Sequence, residues 1–284
     1  MGSQRIRVVT DMTSEIDEQE QQALQITLVP GYINQGEETT LYDGSNLDLT
    51  KYYDSLKHQN PLPTTAAPSP GVVQEVLDKL MEDADHLLLI TLPRSLSAYY
   101  EAFRLGSAHL PEGSVTLLES GTVSMEQGYQ VQVAAEVAAE TGDLAQVLDA
   151  VKRVRANALM CVALDTMENL RRSGRVNLAT AGLATLLQIK PILSMKDGQA
   201  QTMARVRTFR KARLELVRLL RAQAPLERLA ILHVNNPDDA RWLAEEAADV
   251  APAEPRLVNA SPVFGTPLGV GMVGFASLRA GWRD

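Results

Sequence analysis

The chain is short of several things, and each shortage closes off a class of function. It has one cysteine in 284 residues, Cys161, so no disulfide can form within it, which suits a reducing compartment. Cys161 lies in the apolar run Ala158-Leu-Met-Cys-Val-Ala-Leu164 with no His or Arg beside it, the setting of a buried structural thiol. The four histidines, His58, His86, His109 and His233, are far apart, and neither a His-x-x-x-His nor a Cys/His spacing occurs. No metal site is expected. Lys and Arg number 27 against 35 Asp and Glu, a net charge of −8 with no basic run. Nucleic acid and anionic membrane surfaces are therefore poor partners. No Gly-x-Gly-x-x-Gly or Walker-type loop is present, so no nucleotide cofactor is expected. No apolar run reaches the ~18–20 residues that span a bilayer, and no charged-then-apolar leader precedes the first strand pattern. A soluble, cytoplasmic protein without stable membrane insertion is the expectation.

What is present centres on His86-Leu-Leu-Leu-Ile-Thr-Leu92, then Pro93-Arg-Ser-Leu-Ser97, then Ala98-Tyr-Tyr-Glu-Ala-Phe-Arg104. A strand-length apolar run feeds a polar turn and then a helix-period segment. Ser97 stands at the N-cap position of that helix, where free N–H groups and the helix dipole favour an anion. Ser97 as a cap alone is the plainer reading.

Strand, turn and helix alternate through the first ~155 residues, the sign of a parallel sheet with helices on its faces. Strands are expected over Ile6–Thr10, Ile26–Ile33, Leu87–Leu92 and Ser114–Leu118, with an irregular polar stretch over Asn34–Asp48. The prolines of Pro61–Gly71 exclude a regular element and leave Thr64 and Thr65 in a loop before a helix capped by Ser69. In such sheets ligands bind beyond the carboxyl ends of the strands. The turns at Thr13, Thr65, Ser97 and Ser120 flank strand ends, so their hydroxyls are candidates to share one crevice. Helical patterns fill Met125–Glu140 and Leu144–Asn157.

From about Ala156 the pattern changes. A strand over Leu159–Leu164, a short helix closed by Gly174, an apolar helical stripe over Val176–Gln188 and a hairpin turning at Asp197-Gly198 are expected. Helices over Thr208–Ala224 and Pro237–Asp249, strands over Leu229–Val234 and Arg256–Ala260, and a glycine-spaced tail follow. The fold class is α/β in two domains: residues 1–155, three-layer α/β/α with a mainly parallel sheet, and residues 156–284, α/β with a mixed sheet.

Candidates for chemistry are few. There is no Gly-x-Ser-x-Gly elbow and no histidine placed to complete a triad. His233, ending a strand, reads as a packed core residue; Asp11 and Asp165, each just past a strand, read as turn or capping carboxylates before a catalytic pair. Arg175 follows a glycine that closes a helix and is suited to its carbonyls, and Arg207 sits at a strand end, where a surface salt bridge is the default.

Several pieces together resemble the DegV family, whose members bind fatty acids. They are Thr10-Asp-Met-Thr13, Thr65-Ala-Ala-Pro-Ser-Pro-Gly71, Leu96-Ser-Ala-Tyr-Tyr100 and Glu119-Ser-Gly121, then Leu170-Arg-Arg-Ser-Gly-Arg-Val176, Lys190-Pro-Ile-Leu193, Asp197-Gly198 and Val206-Arg-Thr208. The resemblance implies two α/β domains with one long-chain fatty acid in a tunnel between them and no catalytic residues. It implies a carboxylate fixed by Thr65 and Ser97, with Arg175 and Arg207 at matching basic positions and Thr13 and Thr266 completing the site. It also implies a partner, since some members present the acid to a separate fatty acid kinase subunit. Three positions depart from the family pattern. Ala98-Tyr99 stands for Gly-Thr, Ala66-Ala67 for Ser-Gln, and Pro267 for a histidine near the C-terminal glycines.

Physical chemistry agrees with a lipid site. About fourteen buried methylenes at ~0.8 kcal/mol each contribute on the order of 10 kcal/mol before the head group adds anything. The carboxylate needs hydroxyls, N–H groups and an arginine to offset its desolvation. The alternatives are an enzyme acting directly on an acyl or phosphoryl group, which needs a nucleophile–base pair the sequence does not show, and a purely regulatory module, which needs a fully packed interface between its domains.

Overall fold

The structure, a computed structural model, describes residues 3–56, 58–175 and 189–283. In chain order the first half carries strands β1 (Ile6–Asp11), β2 (Ile26–Val29), β3 (Gly31–Gln35), β4 (Glu38–Tyr42), β5 (Thr64–Ala66), β6 (His86–Thr91) and β7 (Val115–Glu119). Its helices are α1 (Glu18–Leu24), α2 (Leu49–Leu56), α3 (Pro70–Met81), α4 (Tyr99–Gly106), α5 (Ser124–Thr141) and α6 (Leu144–Asn157). Strands β2, β1, β6 and β7 lie side by side in that order, all parallel. Strand β6 is buried at every position, as a strand covered on both faces must be, which is why it reads as an unbroken apolar run.

Three expectations fail here, the first for a backbone reason. The single strand read over Ile26–Ile33 is two, because Pro30 has no N–H to continue a ladder. Strand β2 stays in the parallel sheet while β3 leaves it to form a small antiparallel sheet ordered β4-β3-β5. The stretch Asn34–Asp48, read as irregular, contains β4, and Pro61–Gly71 contains β5. Both are short strands with mostly exposed side chains, so neither carries a hydrophobic alternation to announce it.

The second half carries β8 (Ala158–Ala163), β9 (Lys190–Lys196), β10 (Gln199–Val206), β11 (Leu226–His233), β12 (Arg256–Asn259) and β13 (Val273–Arg279), with α7 (Glu168–Arg172), α8 (Phe209–Arg221), α9 (Pro237–Glu246) and α10 (Pro262–Leu268). The sheet runs β10-β9-β8-β13-β11-β12. Only β11 and β12 pair in parallel, so the sheet is mixed as expected. Asp197 (φ 50) and Gly198 (φ 76) make the β9–β10 turn, both left-handed as a two-residue hairpin requires. The helical stripe expected over Val176–Gln188 lies outside the described residues. Strand β13, read only as a glycine-spaced tail, is central to the sheet. A Cβ at Gly274 would sit 2.2 Å from the Cys161 carbonyl oxygen, so glycine permits the approach of β8.

Helix α5 joins the halves. It is buried on all sides from Ser124 to Ala135 and has no single apolar stripe, the pattern of a fully enclosed helix. One side packs on β1 and β2, the other on β8 and β13. Its polar residues are matched: Gln127 Nε2 donates to Thr10 Oγ1 and Asp11 Oδ2, both at 3.0 Å. A single apolar core therefore runs from Val9 and Leu89 through α5 to Met160 and Ala276. A second core lies on the outer face of the mixed sheet beneath α8 and α9.

Candidate functional site

Strand β1 ends in a 3-10 turn, Met12–Ser14, because Asp11 Oδ1 accepts from both the backbone N–H (2.9 Å) and the hydroxyl (2.5 Å) of Thr13. Asp11 Oδ2 accepts from Leu92 N at 2.7 Å and ties the end of β1 to the end of β6. Burial pushes the Asp11 carboxyl up, and these hydrogen bonds pull it back. Asp11 is thus a turn carboxylate, as its position suggested. Since the Thr13 hydroxyl donates to Asp11, it offers a ligand its lone pairs.

Thr65 is placed by β5, where it lies opposite Ile33 and half-buried. Ser97 departs from expectation. The turn closed by Leu96 N donating to Pro93 O (2.9 Å) delays the helix, α4 starts at Tyr99, and its N-cap is Ala98 with no side-chain bond. The half-buried Ser97 hydroxyl is therefore not used as a cap, and among the described residues it makes no hydrogen bond. Arg175 follows Gly174 (φ 75); its backbone N–H donates to Leu170 O at 3.0 Å and its Nη1 to Ser173 O at 2.7 Å. That carbonyl bond is the role the sequence suggested, and it leaves Nη2 and Nε for another acceptor.

Thr13, Thr65, Ser97 and Arg175 line one cavity of about 110 Å³ open to the centres of water molecules. That is several times the ~10–15 Å³ a single water needs. The rest of its wall is almost wholly apolar and comes from both halves: Leu92 and Leu96 from the first, Val162 and Leu193 from the mixed sheet, Phe264 and Leu268 from α10. The other two candidates lie elsewhere. Helix α10 turns Val263, Phe264, Pro267 and Leu268 to the cavity, so by helical spacing Thr266 faces away. Its hydroxyl bonds Tyr52 Oη at 2.7 Å and its carbonyl accepts from Asn169 Nδ2 at 3.1 Å. Arg207 is exposed just past β10, at the edge of the mixed sheet, and does not line the cavity. Ser120 also stays out, donating to Thr122 O (2.9 Å) and Gln127 Oε1 (3.1 Å).

Sequence reasoning missed α10 as an element, although it supplies four wall residues. Its spacing is disguised by Gly265, Pro267 and Gly269, and the first of these is needed for packing: a Cβ there would meet Tyr53 Oη at 2.0 Å. The start of α10 is anchored to the Thr13 turn by Glu15, which accepts from Ser261 N (3.0 Å) and Ser261 Oγ (2.9 Å). Burial raises the Glu15 carboxyl to about 7 against these hydrogen bonds and the nearby Arg256. His233 is spent on a turn. Its Nδ1 accepts from Asn236 N at 3.2 Å, and burial lowers it to about 4, leaving it neutral. Asp165 pairs with Lys190 Nζ at 2.6 Å. Among the described residues no group of three His, Cys, Asp or Glu could hold a metal ion, and no helix is long and apolar enough to cross a membrane.

Comparison with known proteins places this geometry in context. The model of the DegV family, described as a family of uncharacterised proteins, matches residues 5–280. A DegV domain-containing protein of Halalkalibacterium halodurans is 30% identical over 280 residues, covering 96% of this chain and 98% of the relative. Among solved structures, a fatty-acid-binding DegV family protein from Thermus thermophilus is 29% identical with a TM-score of 0.88, covering 96% of this chain and 99% of its own. DegV from Bacillus subtilis, a fatty acid binding protein, is 26% identical with a TM-score of 0.85, covering 97% and 100%.

Proposed function

Because this chain belongs to the DegV family, we propose that it binds one long-chain fatty acid, held between lobes 1–155 and 156–284 with the acyl chain in the apolar cavity. The observation that carries this reading is the asymmetry of the cavity. Thr13, Thr65, Ser97 and Arg175 share a wall with Leu92, Val162, Leu193 and Phe264 and with little else that is polar. Ser97 Oγ and the guanidinium of Arg175 donate to the carboxylate, Thr65 adds a third donor, and the apolar wall supplies the affinity. Arg207 and Thr266 stand outside this head-group set.

The acid is bound and not transformed. Ser97 has no histidine bonded to it among the described residues, and His233 is already engaged by Asn236; general-base activation of a nucleophile needs that contact. The head-group residues Thr65, Ser97 and Arg175 are only half-buried, which leaves the carboxylate within reach of a second protein. Presentation of the acid to a separate kinase subunit is consistent with that exposure. Mass spectrometry of ligand extracted from the protein purified from bacteria tests the reading, with a long-chain acid expected at up to one per chain. Empty or nucleotide-loaded protein overturns it, and turnover of acyl esters or ATP by the isolated chain overturns the non-enzymatic part.

A further inference from the structure

Beside the acyl cavity lies a second cavity of about 660 Å³, lined by Thr122, Glu126, Lys152, Arg155 and Lys196 among others. Ser194 and Met195 line both cavities. Two adjacent strands carry the lining from one to the other in order. Along β8, Val162 and Met160 line the acyl cavity, then Leu159 and Ala158 the second. Along β9, which pairs with β8 at Leu193 and Val162, Leu193 lines the first, Ser194 and Met195 both, and Lys196 and Asp197 the second. The two spaces therefore adjoin at Ser194 and Met195. Their partition includes the half-buried Met195, whose thioether side chain repacks readily.

Part of the polar equipment of this second space is unspent. The Thr122 hydroxyl is buried near the Glu126 carboxyl and, among the described residues, completes no hydrogen bond. Glu126 Oε2 accepts from Met160 N at 2.9 Å. Burial raises its carboxyl to about 8, so at neutral pH it is an acid O–H able to donate. Arg155 is paired with Asp197 at 2.7 Å, while Lys152 and Lys196 have no ion pair among the described residues. A saturated alkyl end would leave the buried Thr122 hydroxyl unanswered. An oxygen-bearing end would answer it and bring a charge within reach of the two lysines.

We infer that the second cavity receives the far end of the bound acyl chain when that end carries a carboxylate, making long-chain α,ω-dicarboxylic acids a ligand class of this protein. This inference rests on the fatty-acid reading above. One carboxylate lies at Thr65 and Ser97, the chain passes Val162 and Met160, and the other carboxylate meets Thr122, Lys152 and Lys196. Delipidated protein is titrated with hexadecanoic and hexadecanedioic acid in competition, read by native mass spectrometry. The diacid is expected to win by about tenfold, the worth of one hydrogen bond to a charged group. Lys152→Ala with Lys196→Ala, both exposed positions, is expected to abolish that preference and leave hexadecanoic acid binding unchanged. Equal or weaker binding of the diacid, or a preference that survives the double substitution, overturns the inference. Failure of hexadecanoic acid itself to bind strikes instead at the fatty-acid reading.

Discussion

Replacing Thr65 by Val and Ser97 by Ala isolates the head-group contribution with little disturbance of the fold. Ser97 makes no cap bond, since α4 is capped at Ala98 without a side-chain contact, so its loss should leave stability within ~0.5 kcal/mol. Thr65 holds β5 through backbone pairing opposite Ile33, and Val keeps both the shape and the strand preference. Binding should respond strongly. A hydrogen bond to a charged group contributes ~1.5–3 kcal/mol, so losing two weakens a long-chain acid by about a hundredfold or more. The methyl ester of the same acid carries no charge, and two neutral hydrogen bonds at ~0.5–1.5 kcal/mol leave it weakened by about tenfold. Displacement of a fluorescent fatty acid from delipidated protein reads both ligands on one scale. If the double variant binds the acid within about threefold of the wild type, or if acid and ester weaken alike, these hydroxyls do not hold a carboxylate.

Two further outcomes follow from buried groups. Glu126 holds its proton in the folded chain up to about pH 8 and, once unfolded, gives it up near the ordinary glutamate value of 4.5. The folded state thus binds the extra proton between these values, and stability falls as pH rises from about 4.5 to about 8, by on the order of 5 kcal/mol. Glu126→Gln keeps an acceptor for Met160 N and removes the titration; urea melts across this window should flatten, and an unchanged slope refutes the assignment. Gly274→Ala drives a methyl group into the Cys161 carbonyl and should cost several kcal/mol by opening the β8–β13 pairing, a loss visible as a lowered midpoint in thermal melts. A midpoint within a degree of the wild type would mean that the strands do not approach so closely.

Much of the fold could be read wherever local chemistry decides structure. The Ser69-Pro70 start of α3 and the Asp197-Gly198 turn each form where side chains and backbone alone require it. What escaped depends on distant partners. Strand β13 hides among glycines because Gly274 answers to the carbonyl of Cys161, more than a hundred residues away. The edge strand β4 carries exposed side chains and no alternation. Thr13, Thr65, Ser97 and Arg175, the candidates that line one cavity, stand out in sequence as polar turn residues. The apolar wall does not, because a leucine facing a ligand and a leucine facing the core look alike. Thr266 and Arg207 show the limit of position matching: the first is rotated away by the pitch of α10, the second sits at a sheet edge.

Helix α5 has a consequence for traffic. Because the parallel and the mixed sheet both rest on it, swinging the two lobes apart would uncover a buried side of α5 and strip partners from its enclosed polar residues. On the fatty-acid reading, the elements that border the cavity with the least backbone to rearrange are the single turn after β1 and the seven-residue α10.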